Sequence, residues 1–138
     1  MIGVLIVTHG SIGESLLASA KQILNSEPPL TATLGVSRSD DPEDLILRVK
    51  RLLKQLDAGD GVLVLTDIFG ATPGNVIARL LEDGRVEGVS GLSLPMLLRV
   101  LTSRDGSPNL SLSGAVQRAL SGGTEGVVHM NSDRCLDA

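Results

Sequence analysis

Two short strings hold residues able to do chemistry. Thr8-His9-Gly10-Ser11-Ile12-Gly13 places one of the chain's two histidines at the end of an apolar run, and Thr66-Asp67-Ile68-Phe69-Gly70-Ala71-Thr72-Pro73-Gly74-Asn75 follows a second apolar run. A carboxylate that accepts from one imidazole nitrogen fixes the tautomer, leaves the other nitrogen with a nucleophilic lone pair, and stabilises the positive charge that develops on attack. His9 and Asp67 are therefore a candidate catalytic pair, provided the fold brings them together. Both strings lead from a strand into a helix, whose first N–H groups lack intrahelical partners and favour an anion. Plainer readings stand beside these. His9 alone suits a polar surface loop, Asp67 suits a turn at a strand end, and Thr72 suits a cap for the helix beginning near Pro73. Gly10, Gly13, Gly70 and Gly74 suit turns. Phe69, set among turn-formers, makes more sense exposed as a protein-docking residue than as part of the core.

The elements that must position these residues are legible in the hydropathy pattern. Ile2 to Val7 and Gly61 to Leu65 are nearly continuous apolar runs, as expected of central parallel strands covered on both faces. Leu45, Ile46, Val49, Leu52, Leu53 and Leu56 fall at helical spacing behind Ser39-Asp40-Asp41-Pro42, which offers caps and a first-turn proline. Leu16, Leu17, Ala20, Ile23 and Leu24 form a similar stripe after the first strand, and Val76, Ile77, Leu80 and Leu81 another after Pro73. Weaker strands are expected over Ala32 to Val36, Val86 to Ser90 and Gly126 to Met130, with helices around Met96 to Thr102 and Leu112 to Leu120 and a loop over Ser103 to Ser111. This alternation predicts an α/β fold with a doubly wound, mostly parallel central sheet and helices on both faces. Ligands of such sheets bind where loops meet at the carboxyl ends of the strands, and adjacency of the first and third strands would bring His9 and Asp67 within reach.

The chain has 138 residues, one domain's worth, and residues 1–130 are expected to form it, with 131–138 a frayed tail. Hydrophobic residues make up 42% and charged residues 20%, so a real core is expected. Phe69 is the only aromatic residue and the formal net charge is -4, which together remove the stacking platforms and basic excess that nucleic-acid binding needs. No basic amphipathic stripe suggests anionic lipid, and the apolar start is too short to span a bilayer and, without a basic n-region or a small-residue cleavage site after it, is not expected to be a signal peptide. One cysteine, Cys135, allows neither an internal disulfide nor a cysteine cage for metal, so a reducing, cytoplasmic location is expected. His129, beside Val127-Val128, has no accompanying motif and reads as structural. The phosphate-loop string Gly-x-x-x-x-Gly-Lys-Ser/Thr is absent, which disfavours ATP as a donor.

Four segments in this order resemble the enzyme IIA component of the mannose-type phosphotransferase system: Val7-Thr8-His9-Gly10, the leucine-rich stretch Glu14 to Leu24, Thr66 to Pro73 with Asn75, and Gly91-Leu92-Ser93-Leu94-Pro95-Met96-Leu97-Leu98. The likeness runs over roughly residues 1 to 130. It implies that His9 accepts a phosphoryl group from the phosphohistidine of the small carrier HPr and hands it to a IIB domain, with Asp67 orienting the ring. Gly10, Thr66, Gly70, Ala71 and Thr72 are then phosphate-binding and Phe69 is a docking residue. No metal or other cofactor is required, and contact with a membrane would be indirect, through a permease complex. The resemblance also implies an antiparallel edge strand through which two subunits form a homodimer. The apolar run Gly126-Val127-Val128-His129-Met130, after the Gly122-Gly123 break, is the segment expected to supply it. The chain departs from the family at Ala71, where a second glycine is common, and an attached IIB domain is not expected. A regulatory phosphocarrier with the same site, moving no sugar, is the second reading. A chelatase-like protein using His9 as a metal or proton ligand is the third, and it lacks a second histidine-rich loop.

Overall fold

The computed structural model describes residues 1–133. The order of elements is β1 (Gly3–His9), α1 (Ile12–Leu24), β2 (Thr31–Val36), α2 (Pro42–Leu56), β3 (Val62–Thr66), α3 (Thr72–Ala78), β4 (Val86–Val89), α4 (Leu94–Gly106), α5 (Leu112–Glu125) and α6 (Met130–Asp133). The four strands form one parallel sheet in the order β2-β1-β3-β4. Alternate residues of β1 serve two cores, as side chains on a strand must. Val4 and Ile6 pack with Leu17 and Ala20 of α1, with Leu97 and Leu101 of α4 and with Ala115 of α5. Leu5 and Val7 pack on the opposite face with Leu45 and Val49 of α2 and with Val76 and Ile77 of α3. Burying one such leucine or isoleucine contributes roughly 1.5–3 kcal/mol, and both faces need that contribution, which explains the unbroken apolar run.

Helix starts follow the expected local chemistry. Asp41 caps α2 by accepting from Glu43 N–H at 3.1 Å with Pro42 in the first turn, Ser93 caps α4 ahead of Pro95, and Ser111 caps α5. α1 ends on Asn25 in the left-handed conformation, φ 53°. α3 is shorter than its apolar stripe suggests and closes at Ala78, leaving Leu81 largely exposed.

Two expectations are corrected. The antiparallel edge strand is absent from the described residues: after α5, residues 127–129 take no regular structure and lead into α6, with Val127 and Met130 strongly exposed. A strand acquires its hydrogen bonds from a neighbour, and this segment lies against none; the one antiparallel pairing among the described residues is the isolated Glu82–Val86 bridge. The loop expected from Ser103 is helical as far as Gly106, because α4 carries Arg104 into the interior. Its guanidinium donates to the carbonyls of Pro29 (2.6 Å), Ile2 (3.2 Å) and Leu30 (3.3 Å) and to Thr31 Oγ1 (2.9 Å). Burial pulls the Arg104 pKa below the usual guanidinium value, with Asp105 opposing. The first residues of the expected tail lie in α6, and residues 134–138, with Cys135, lie outside the described residues.

Candidate functional site

β1 and β3 are neighbours in register Val7↔Thr66, so the residues just beyond these positions emerge side by side at the carboxyl edge of the sheet. His9 is the last residue of β1, two residues further than the apolar run suggested, and Asp67 is the first residue after β3. Asp67 Oδ2 accepts from His9 Nδ1 at 2.9 Å and from the His9 backbone N–H at 3.0 Å, while Oδ1 accepts from Ile68 N–H at 2.9 Å. Asp67 is thus engaged with His9 and, through Oδ1, with the N–H of the next residue, and the Asx-turn bond to the second residue on is absent among the described residues. Partial burial pushes the Asp67 carboxyl up, but the hydrogen bonds from the His9 ring, the His9 backbone and Ile68 outweigh it and hold it below the ordinary aspartate value. An ionised carboxylate can only accept, so Nδ1 carries a proton, and in the neutral ring the lone pair is then on Nε2. The His9 side chain is 46% exposed against 14% for Asp67, so the nucleophile reaches solvent while its partner is sheltered.

β2 contributes from the other side of β1. His9 pairs with Val36, and Gly10, at φ 48°, donates its N–H to the Val36 carbonyl at 2.9 Å. A side chain at Gly35 would overlap the Gly10 carbonyl oxygen, so Gly35 permits this approach. Sequence reasoning missed Gly35 and Val36; the signal available was a glycine inside an apolar strand, which often marks a close backbone contact.

In the second loop, Gly70 has φ 89°, a conformation that disfavours any side chain. Ala71 is the N-cap residue of α3 at φ −94°, so the methyl that replaces the family's glycine meets no backbone strain. Thr72 is the first helical residue, no side chain caps α3, and the exposed Thr72 hydroxyl has no hydrogen bond among the described residues; the expectation that Thr72 caps this helix is therefore corrected. Thr66 is 4% exposed, its hydroxyl makes a long 3.5 Å contact to Ile68 O, and its carbonyl accepts from Leu92 N–H, so it braces the loop from within. Phe69, 73% exposed, stands next to Ile68, and Ile12 at the start of α1 adds a third exposed apolar side chain within three residues of His9 or Asp67. His129 bonds Ser132 Oγ at 2.8 Å, a local contact at the start of α6. Among the described residues no three or more His, Cys, Asp or Glu side chains are grouped to share a metal ion, and no helix is long and apolar enough to cross a membrane.

The arrangement defines an α/β protein that presents an oriented imidazole at a strand end. Residues 3–117 match the family model described as PTS system fructose IIA component, where PTS denotes the phosphotransferase system. The chain is 33% identical over 127 residues to the mannose-specific EIIAB component of Escherichia coli, covering 91% of this chain and 38% of that protein. It is 35% identical over 106 residues to the fructose-specific EIIA component of Bacillus subtilis, covering 76% and 72% of the two chains. A crystal structure of a phosphotransferase system EIIA component from Streptococcus agalactiae superposes with TM-score 0.82 at 26% identity, covering 96% of this chain and 99% of that one. The chain belongs to the mannose-type EIIA family of the phosphotransferase system.

Proposed function

We propose that the protein is a histidine phosphoryl carrier in which His9 Nε2 is the acceptor. The observation that carries this reading is the 2.9 Å bond from His9 Nδ1 to Asp67, which in the neutral ring puts the lone pair on Nε2, in a side chain 46% exposed. In the transfer step the Nε2 lone pair attacks the phosphorus of a donor phosphohistidine and forms a new P–N bond. The donor's P–N bond breaks and its electron pair returns to the donor imidazole. Nδ1 keeps its proton, and the positive charge gained by the ring is offset by Asp67 at hydrogen-bond distance. Phosphoryl transfer of this kind demands positioning and charge stabilisation, with little covalent work by the protein. The Gly10, Gly70 and Ala71 backbone and the unengaged Thr72 hydroxyl lie in the two loops that frame the incoming group. Exposed Phe69 is the docking residue for the partner.

HPr is the proposed donor and a IIB domain the proposed acceptor, a reading supported by membership of the family, with the reaction placed in the cytoplasm and a membrane reached only through a permease complex. A regulatory role for the same site is favoured by one observation: 74% of this chain is 30% identical to a tenth of the transcriptional regulatory protein LevR of Bacillus subtilis. Incubation with phosphorylated HPr should add one acid-labile phosphate per chain, and His9→Ala should abolish it. Undiminished labelling of His9→Ala would overturn the assignment, and label on His129 would move it there.

A further inference from the structure

The geometry points to Thr8 as a positioning residue for His9, an inference that rests on the phosphoryl-acceptor reading above. Thr8 is 1% exposed, one of three buried polar or charged residues in the described chain. Its hydroxyl accepts from Gly13 N–H at 2.8 Å and lies 3.3 Å from the His9 carbonyl, to which its single proton is donated. Gly13 belongs to the first turn of α1, where Ser11 makes no side-chain cap. The orphan N–H at that helix start is therefore satisfied by a strand residue five positions back. The contact requires a glycine: a side chain at Gly13 would come within 2.6 Å of Ile6 Cγ2 and 3.1 Å of Thr8 Oγ1.

The segment closed by this bond is the one that carries the nucleophile. Three successive backbone groups around His9 then have fixed partners: His9 N–H on Asp67, His9 C=O on the Thr8 hydroxyl, and Gly10 N–H on the Val36 carbonyl. With the backbone held, only the two side-chain torsions of His9 remain, and the Asp67 bond to Nδ1 sets those. Thr8 touches neither the nucleophilic nitrogen nor the protein surface. Its removal should loosen the aim of Nε2 without altering the face that meets a partner.

Thr8→Val keeps the shape and loses the hydroxyl, whereas Thr8→Ser keeps the hydroxyl. In single-turnover transfer from phosphorylated HPr, Thr8→Val should be at least about tenfold slower at saturating donor, with the half-saturating donor concentration within about twofold of wild type and Thr8→Ser close to wild type. Nitrogen NMR of the unphosphorylated His9 ring should report a fixed Nδ1–H tautomer in the wild type and a mixture in Thr8→Val. Wild-type transfer rates in Thr8→Val, or a rate loss with a raised half-saturating concentration and an unchanged ring spectrum, would overturn the inference. Should Thr8→Val fail to fold, hydrogen exchange of the wild-type Gly13 amide decides: strong protection is expected, and exchange at an open amide's rate overturns it. The ring spectrum needs no phosphoryl donor, so an inert wild type would refute the carrier reading while leaving Thr8 to be judged on the spectrum.

Discussion

Replacing Asp67 by alanine removes the acceptor of three hydrogen bonds at once, those from His9 Nδ1, His9 N–H and Ile68 N–H. A hydrogen bond to a charged group is worth roughly 1.5–3 kcal/mol, but His9 is half exposed and water can replace part of what is lost, so the expected cost to folding is only about 1–2 kcal/mol. The cost to transfer is larger. Without the carboxylate the ring divides between tautomers and the charge developing on it has no counter-charge. A loss of about 2–3 kcal/mol at the transition state corresponds to about 30- to 150-fold in rate. Quenched-flow phosphorylation by phosphorylated HPr, with circular dichroism and urea unfolding of the same samples, separates the two effects. An Asp67→Ala protein with a native spectrum and a wild-type transfer rate would reduce Asp67 to a turn-former and refute the orientation mechanism.

Other outcomes follow from the same geometry. Because its native hydrogen bonds depress the Asp67 pKa, that carboxylate contributes stability in full above its unfolded value of about 3.9 and loses it as pH falls through the lower native value. Carbon NMR of the Asp67 carboxyl should titrate below about 3.9, and His9→Ala should raise the midpoint; an ordinary midpoint in both would disprove the pairing in solution. Arg104→Ala should cost about 3–5 kcal/mol in urea unfolding, since it deletes a buried side chain and strips the Ile2, Pro29 and Leu30 carbonyls of a donor; a loss under about 1 kcal/mol would contradict this. Exposed Val127, Val128 and Met130, and β4 at the end of the sheet, lead us to expect a homodimer: light scattering at micromolar concentration should give about twice the 14.4 kDa chain mass. Truncation after Gly123 should give monomer or aggregate, and a full-length monomer across a wide dilution range would reject the dimer.

Much of this molecule was legible in its residues, for reasons that differ by element. The apolar runs at Ile2 and Gly61 and the leucine stripe of α2 are periodic signals strong enough to identify two central strands and a covering helix, while the meeting of His9 and Asp67 hangs on the adjacency of β1 and β3, which the sequence leaves as a condition and the sheet order meets. The strand end at His9 was misplaced by two residues because hydropathy stops at Val7 while the hydrogen-bond ladder continues to Val36. Gly126 to Met130 carries strand chemistry, but a strand needs a partner, and hydropathy does not encode one. Arg104 misled in the opposite direction: a charged residue in a polar stretch reads as surface, and only the cluster of carbonyls at Ile2, Pro29 and Leu30 makes its burial tolerable. Thr8 gives no signal by type and Gly35 only that of a glycine inside an apolar strand; their roles appear when the Thr8 hydroxyl meets Gly13 and the Gly35 backbone meets Gly10.

The doubly buried strands have a consequence for how the reactive pair is kept in place. Where a sheet has one wet face, sliding a strand by one residue turns its apolar side chains outward and is resisted by the hydrophobic effect. β1 is apolar on both faces, so its composition offers little opposition to a slip. Such a slip would shift His9 by about 3.3 Å relative to β3, enough to break its contact with Asp67. What indexes β1 against its neighbours is therefore a few contacts outside the hydropathy pattern. Gly3 passes Leu56 where no side chain would fit, Gly13 does the same against Ile6, and Arg104 fastens the carbonyls of Ile2 and Leu30 at the entrances of β1 and β2. The alignment of the reactive edge is thus held partly from the opposite end of the sheet.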